Sequence, residues 1–305
     1  MPPKRVFGQM YTNFFTPKNF DLMVQYRVIN RKDDIPMKIY DITNKENAYN
    51  TLLRLSNINE LVIQHYLHKI KYGLVDTSIE EMLEKYDVRP TFKKDELICH
   101  LQHMTTSANG CEHIKEKGLM DLRITYEDTD SELRQFLDEQ GVKIDLPGQR
   151  IYFNGEDLGS IECSKKTYSN DPGSKQHKRY FVGFKFYKDF NVCGFLSFNH
   201  KSLYGGNVHR RPEILYNISS LIGKAIDDIW SHTHQSYIVK FSVPYKQVTF
   251  ERGNIDEMEL LRDAFYNAVY NDTDEKIVIM NDHIEIPPED IISIDKFVSP
   301  YTKSI

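Results

Sequence analysis

A strand, a turn and a short helix follow one another between Leu97 and Leu122, and this order restricts the possible folds of the chain more than any other segment. The apolar run at its start continues into His103 and Thr105, a pattern typical of a buried strand. Because strand side chains alternate between faces, His103 and Thr105 share one face. A turn follows, and the next residues predict an amphipathic helix that ends at Gly118-Leu119.

The composition is that of an ordinary globular protein. The chain has 305 residues, of which 40% are hydrophobic and 27% charged, and this length predicts about two domains. The 19 Tyr and 17 Phe residues favour half-buried strands. The formal net charge of -5 argues against non-specific nucleic-acid binding by the whole molecule, although a local basic patch is compatible with it.

The cysteines and the N-terminal residues indicate the cellular compartment in which the protein is expected. Cys99, Cys111, Cys163 and Cys193 form no CxxC pair, so we expect a reducing, cytoplasmic setting. The first residues, MPPKRVFGQMYTNFF, lack the pattern of a signal peptide. No apolar run approaches the roughly 18–20 residues that span a bilayer, so no membrane partner is expected.

The spacing of apolar residues changes near residue 94 and predicts a domain boundary there. Residues 1–94 predict a mostly helical N-terminal module, with apolar residues at three- and four-residue steps between 44 and 72. The module is not basic enough to favour DNA binding. Residues 95–305 predict one mixed unit in which strands dominate, so the α+β class fits better than a doubly wound sheet. We expect strands at 149–154, 179–187, 191–198, 237–243 and 276–280, and a helix at 212–230.

The segment Leu97–Leu122 resembles the first motif of the ADP-ribosyltransferase superfamily, in which a strand with His-x-Thr precedes a turn and a helix ending in Gly-Leu. The resemblance covers roughly residues 95–298 and is to the His-Tyr-Glu type, found in bacterial and phage toxins or defence proteins. It implies a split β-sheet domain that binds NAD in a cleft between two small sheets. His103 and Thr105 would hold the ribose, and Gly118 would close the motif.

A tyrosine that stacks on the nicotinamide is the second feature that the resemblance implies, since an aromatic face suits a flat cationic ring. Tyr152, in the segment Arg150–Phe153, resembles the Tyr-Phe strand of the His-Tyr-Glu subgroup. Tyr204 is the alternative, because the segment from Gly194 onward is loosely similar to the family segment with Lys-Ser and a stacking tyrosine. That segment departs from the family at Leu196, where a tyrosine is expected.

An acid is the third feature. Cleavage of the nicotinamide–ribose bond passes through an oxocarbenium-like state, which a carboxylate can stabilise. Glu275 before an apolar strand, followed by the Pro-containing turn at Ile286–Ile291, resembles the end of the domain in ADP-ribosylating toxins. Glu275 is therefore the predicted catalytic acid, with Glu285 and Glu251 as alternatives. A solvated acid at a strand start is the ordinary structural interpretation.

Basic and aromatic residues occur together at three places: Lys165-Lys166, Lys175–Tyr180 and His209–Arg211. They could hold the diphosphate of NAD or a nucleic-acid acceptor. Arg210 is the preferred candidate, because the helix that begins near Pro212 adds an anion preference at its N-terminus. Exposed charge beside a loop is the alternative interpretation.

A metal site is a competing hypothesis for the same region. Five side chains of metal-ligand type lie close together in the sequence: Cys99, His100, His103, Cys111 and His113. They lack a CxxC or HxxxH pair, and neighbouring strand residues point to opposite faces, so we expect no metal.

The combined expectation is a mono-ADP-ribosyltransferase that uses NAD to modify an intracellular macromolecule, protein or nucleic acid, as a toxin or phage-defence effector. An NAD glycohydrolase, in which water is the acceptor, is an alternative on the same fold. Removal of an RNA 2′-phosphate with NAD is another. The alternative from a different class is a non-catalytic module that binds a partner.

Overall fold

Ten strands and ten helices lie in the part of the chain that the computed structural model describes, residues 37–74, 77–197, 207–251, 253–270 and 276–298. The strands are β1 (Lys38–Tyr40), β2 (Leu97–Ser107), β3 (Val142–Asp145), β4 (Arg150–Phe153), β5 (Glu156–Ser160), β6 (Cys193–Ser197), β7 (Gln235–Pro244), β8 (Val248–Phe250), β9 (Lys276–Met280) and β10 (Ile291–Lys296). The helices are α1 (Lys45–Leu55), α2 (Glu60–Lys71), α3 (Ile79–Lys85), α4 (Glu112–Lys117), α5 (Leu122–Glu127), α6 (Glu132–Glu139), α7 (Lys175–Tyr187), α8 (Glu213–Ile222), α9 (Ile226–Thr233) and α10 (Glu257–Tyr270).

Strand β2 lies inside a seven-stranded sheet. Six of the strands follow the order β10-β7-β2-β6-β9-β8, and the seventh, β1, pairs with β2. Along one edge, β7 pairs antiparallel with β2 from Ile98 to Ser107. The other edge is shared, because β1 pairs in parallel with Leu97 to Cys99 and β6 pairs antiparallel farther along, at Gln102. The remaining pairings in this sheet are antiparallel. The protein is thus a mixed α/β structure with a mostly antiparallel main sheet.

One face of the main sheet packs against α1, α2, α3 and α10 in the largest apolar core. Phe265 of α10 is fully buried there, and its ring lies 5.6 Å from the ring of Tyr66 on α2. The Tyr40 hydroxyl at the end of β1 donates to the Leu260 carbonyl of α10 at 3.0 Å. This core extends on both sides of residue 94, and the division of the chain there stays a prediction.

A second core lies between a three-stranded antiparallel sheet, β3-β4-β5, and helices α5 to α9. Trp230 of α9 is buried in it, with its ring 4.9 Å from that of Phe136. The Trp230 Nε1–H donates to the Thr106 hydroxyl of β2 at 2.8 Å. This hydrogen bond ties the second core to the C-terminal end of β2.

The prediction of a strand at 179–187 is wrong, because these residues lie in helix α7. Ser174 begins the helix by accepting a hydrogen bond from a backbone N–H with its side chain. Val182 and Phe186 are four residues apart and both fully buried, which is the spacing of one helix face. Tertiary packing along this face outweighs the strand propensity of the aromatic residues.

Two other boundaries differ from the sequence patterns. The helix expected at 212–230 is two helices, α8 and α9, because Gly223 takes the left-handed conformation that ends α8. The sequence Thr77-Ser78 offers two start positions for α3, and the structure forms the capping box with Ser78 and Glu81. Helices α1 and α2 lie inside the region predicted to be helical.

We expect Phe265→Ala to lower the free energy of unfolding by about 3–5 kcal/mol, since it leaves a cavity between α10, α2 and the sheet. Urea denaturation followed by circular dichroism measures this change. Tyr86→Ala is the control, because Tyr86 is 44% exposed and its loss should cost less than about 1 kcal/mol. Equal effects of the two substitutions would contradict the placement of this core.

Candidate functional site

His103 and Thr105 lie near the C-terminal end of β2, and both are half-buried. The His103 Nδ1–H donates to the Cys193 carbonyl of β6 at 2.8 Å. Burial lowers the pKa of His103, and the hydrogen bond to the carbonyl offsets part of that shift. The imidazole is therefore neutral near pH 7, and a neutral ring that donates at Nδ1 can accept a hydrogen bond at Nε2.

The turn after β2 is held by side chains of two elements. The Ser107 hydroxyl accepts from the backbone N–H of Cys111 at 2.8 Å. The Glu132 carboxylate, on α6, accepts from the N–H groups of Ala108 and Asn109 at 2.9 and 3.0 Å. Carboxylate-to-amide bonds are charge-assisted and strong, so the entry to α4 has a fixed geometry.

The Gly118-Leu119 end of α4 makes direct contact with the Pro-containing turn near the C-terminus. The backbone of Leu119 exchanges two hydrogen bonds with Ile286, each 2.9 Å long. Gly118 has a φ of +87°, and a Cβ there would lie 2.0 Å from the Ile286 carbonyl oxygen. Only glycine suits that conformation and that approach. The first and last motifs of the sequence resemblance are thus neighbours in space.

Strand β9 is separated from β2 only by β6. Gln102 of β2 and Ile277 of β9 both pair with Phe195, so they lie level with one another. The first residue of β9, Lys276, therefore lies level with the middle of β2, two strand spacings or roughly 10 Å away. Glu275 directly precedes Lys276 in the chain.

Two predicted site residues, Glu275 and Tyr204, lie outside the described residues. Tyr152 is half-buried on β4 in the small sheet, where it pairs with Lys143 and Asp157. It lies on a different sheet from His103. Arg210 is exposed in the turn before α8, where its backbone N–H donates to the Asn207 carbonyl at 2.8 Å.

The two alternative acids are both exposed. Glu251 follows β8, and its backbone N–H donates to the Ile277 carbonyl of β9 at 3.4 Å. Glu285 directly precedes Ile286, which pairs with Leu119. Glu251 is thus the alternative that lies beside the first residues of β9.

The five side chains of metal-ligand type bind different partners. Cys99 is buried in the main core, His103 donates to a backbone carbonyl, and His113 contacts the Asp128 carboxylate at 3.0 Å. Over the described ranges, no group of three or more His, Cys, Asp or Glu side chains is placed to hold a metal ion.

His100 belongs to a buried ionic network centred on Asp41, directly after β1. One Asp41 carboxylate oxygen contacts His100 Nδ1 at 2.9 Å and Lys240 Nζ at 2.7 Å. The other accepts from the Thr43 hydroxyl at 2.6 Å. Burial by itself would raise the pKa of Asp41, but the His100 hydrogen bond and the Lys240 charge outweigh it and hold that pKa below its usual range. Asp41 is therefore ionised.

A cleft of about 350 Å³ opens beside this network. Polar side chains from α1, from β2 and from the residue after β1 line it, namely Asp41, Asn47, Asn50, Arg54 and His100. The Asp41 charge is already matched within the network. The Asn47 amide donates to Asp41 and Thr43, so the donors that remain toward the cleft are the Asn50 side-chain amide and the terminal nitrogens of Arg54. These donors suit a polar or anionic group.

The sequence patterns did not indicate the Asp41 network. In the sequence, His100 stands out only as a residue of metal-ligand type. Lys240 lies in an alternating strand, where a polar side chain is expected on the solvent face. The partners lie 59 and 199 positions from Asp41 in the chain, and no local signal links them. Lys240 on β7, opposite Gln102 of β2, is the one feature that could have indicated an ionic partner in this region.

Comparison of the chain with protein-family models, curated proteins and solved structures found no match. None of the helices in the described ranges has the length and apolar character needed to cross a membrane.

We expect Gly118→Ala to lower the free energy of unfolding by about 2 kcal/mol or more, because of backbone strain and the clash with Ile286. Thermal unfolding gives the size of the effect, and hydrogen exchange at the Leu119 and Ile286 amides shows whether their bridge opens. Gly155→Ala is the matched control, since its φ is +83° but no atom lies within 4 Å of the added Cβ. Unchanged exchange at both amides in the Gly118 variant would contradict this description.

We expect Asp41→Asn to destabilise the protein by about 3–5 kcal/mol at pH 7, since it leaves His100 and Lys240 around a neutral group. The folded-state pKa of Asp41 is lowered, so its contribution is complete above the unfolded value of about 3.9 and is lost as pH falls below it. The urea midpoints of the wild type and of Asp41→Asn should therefore differ at neutral pH and converge as the pH becomes acidic.

The control for this substitution is Asp87→Asn, because Asp87 forms an ion pair with Arg89 on the surface, where its side chain is 73% exposed. Such pairs contribute about 0–1 kcal/mol. A difference between wild type and Asp41→Asn that stays constant down to acidic pH would show that the ionised carboxylate is not the stabilising group.

Proposed function

We propose that this chain transfers ADP-ribose from NAD to a macromolecular acceptor. The observation that carries the proposal is the backbone bridge between Leu119 and Ile286. In the family that the sequence resembles, the Gly-Leu helix end closes the first motif, and the Pro-containing turn with its isoleucine ends the domain. Contact between two segments so distant in the chain is what a shared site requires.

The strand order supports the same proposal. The strand that carries His103, the strand that leads toward Tyr204 and the strand that follows Glu275 are neighbours, in the order β2-β6-β9. Three adjacent strands can together provide one side of a nucleotide site. Arg210 and the mixed α/β architecture are compatible with this arrangement.

The residues around His103 fit NAD. A ribose presents neighbouring hydroxyls, and a neutral His103 with Thr105 on the same face offers an acceptor and a hydroxyl at adjacent positions. Burial lowers the pKa of His103 and keeps the ring neutral. When bound, NAD supplies an ADP-ribosyl group whose bond to the cationic nicotinamide breaks with the electron pair leaving on the nicotinamide.

Glu275 would orient a ribose hydroxyl and take the proton of the acceptor that attacks the ribose. The next residue, Lys276, forms an ion pair with Asp263 of α10, and both side chains are about 90% buried. This pair fixes the first residue of β9 against the helix layer. Glu275 directly precedes this anchored residue in the chain.

A non-catalytic NAD-binding or partner-binding module is the second candidate, and one observation favours it. The first residue of β9 lies level with the middle of β2, whereas His103 lies nearer the C-terminal end of that strand. The start of β9 and His103 are thereby offset along the sheet. NAD binding without turnover is the expected behaviour of such a module.

We expect the purified protein to release nicotinamide from NAD in the presence of its acceptor. Glu275→Gln should lower the rate about 100-fold or more, since it removes the carboxylate that acts on the reacting groups. His103→Ala should raise the KM for NAD and also lower the rate. Mass spectrometry measures free nicotinamide and any mass gain of ADP-ribose on protein or nucleic acid.

Glu84→Gln is the control, because Glu84 is an exposed acid on α3, and the activity of this variant should equal that of the wild type. Release of nicotinamide by the wild type without ADP-ribose on any macromolecule would identify an NAD glycohydrolase. The absence of release with every acceptor tested, together with an unchanged melting temperature in NAD, would refute the transferase proposal.

A further inference from the structure

Helix α7 and the loop before it present a cluster of aromatic rings at the surface, which we call the α7 patch and which comprises Tyr168, His177, Tyr180, Phe181 and Phe184. Tyr168, Phe181 and Phe184 are 43%, 37% and 36% exposed. The rings contact one another: the centroids of Tyr168 and Tyr180 are 5.0 Å apart, and those of His177 and Phe181 are 4.7 Å apart. Exposed aromatic clusters of this kind commonly mark binding surfaces.

Positive charge surrounds the α7 patch. Residues 161–188 contain seven Lys and Arg residues against two acidic ones, whereas the whole chain has a net charge of -5. Lys165, Lys166 and Lys175 are exposed. The segment that carries the exposed rings therefore has a local excess of positive charge in a chain that is negative overall.

Most of this charge is not neutralised by neighbouring carboxylates. Lys178 donates to the Ser220 carbonyl and Arg179 to the Leu158 carbonyl, each at 2.8 Å, rather than to a carboxylate. Lys185 is the exception, because Asp189 and Glu213 pair with it. Unmatched cations beside exposed rings create an attraction for an anionic ligand with flat groups.

The α7 patch is connected to the candidate site by a short stretch of chain. Helix α7 ends at Tyr187, and strand β6 begins at Cys193. The Cys193 carbonyl is the group that accepts the hydrogen bond from His103. Only five residues of chain, 188–192, thus separate the end of α7 from the strand that bonds to His103.

We propose that the α7 patch binds single-stranded nucleic acid and that this is the acceptor, an inference that rests on the proposed transferase reaction. Unpaired bases stack on exposed aromatic rings, and a phosphate backbone follows lysine and arginine side chains. Bases of a duplex are already stacked on each other. The centre of a typical protein-binding surface is depleted of lysine, which the α7 patch is not.

The test measures binding of labelled single-stranded thymidine and uridine oligonucleotides by fluorescence anisotropy, without NAD, at several salt concentrations. Phe181→Ala with Phe184→Ala should weaken binding about tenfold or more, since each removes a stacking ring. Lys165→Gln with Lys166→Gln should reduce the slope of log affinity against log salt by about 0.7 for each lysine removed. All four side chains are exposed, so the variants should fold.

The matched control is Lys71→Gln with Tyr72→Ala at the C-terminal end of α2. There the Tyr72 ring is 58% exposed, and its centroid lies 5.8 Å from the Lys71 Nζ. This variant should bind like the wild type. Phe181→Tyr with Phe184→Tyr should retain binding, because the rings are kept. No binding by the wild type, or equal weakening in the control, would overturn the proposal.

The two proposals fail in different ways. With NAD added, the wild type should attach ADP-ribose to the oligonucleotide, and the double phenylalanine variant should do so much more slowly at low oligonucleotide concentration. Modification of protein but not of any oligonucleotide would overturn the choice of acceptor and leave the transferase standing. Patch-dependent binding without nicotinamide release would support the binding surface and refute the transferase.

Discussion

Pairing of β2 on both edges is the constraint on which the rest of the structure depends. One edge is occupied along nearly its whole length by β7, and the other is divided between β1 and β6. Because a strand inside a sheet cannot shift its register without moving side chains to the wrong face, His100, His103 and Thr106 have fixed directions. Through them β2 is bonded to the Asp41 network, to the first residue of β6 and to Trp230.

Local patterns were sufficient for the segment from β2 to Gly118. An alternating apolar run, a turn and a glycine helix end are each encoded within a few residues, and the structure contains all three. The aromatic-rich stretch 179–187 was misread because its residues favour strands when considered alone. Its burial at four-residue spacing depends on the second core, which is formed by residues far away in the chain. The interruption at Gly223 has a local cause, a glycine in the left-handed conformation, but the apolar stripe continues across it and predicts one long helix.

The candidate site shows the same division. His103 and Thr105 could be predicted because they lie two residues apart on one strand. The contact between Leu119 and Ile286 could only be inferred from a resemblance, since it joins segments at opposite ends of the domain. The ionic network of Asp41 could not be predicted from the sequence. Its carboxylate forms ion pairs only because β1 lies beside β2, which brings His100 and Lys240 within hydrogen-bonding distance. Long-range ionic contacts leave no periodicity in a single sequence.

The Asp41 network has a consequence for how this protein can change over evolutionary time. One carboxylate oxygen serves both cations, and removal of any one member leaves the others poorly matched in a buried place. Substitutions at these three positions are therefore strongly non-additive. A viable replacement of the network by apolar residues has to alter all three nearly together, so related chains should show correlated variation at positions 41, 100 and 240. Neighbouring exposed positions of the cleft, such as Asn50 and Arg54, are free to diverge independently.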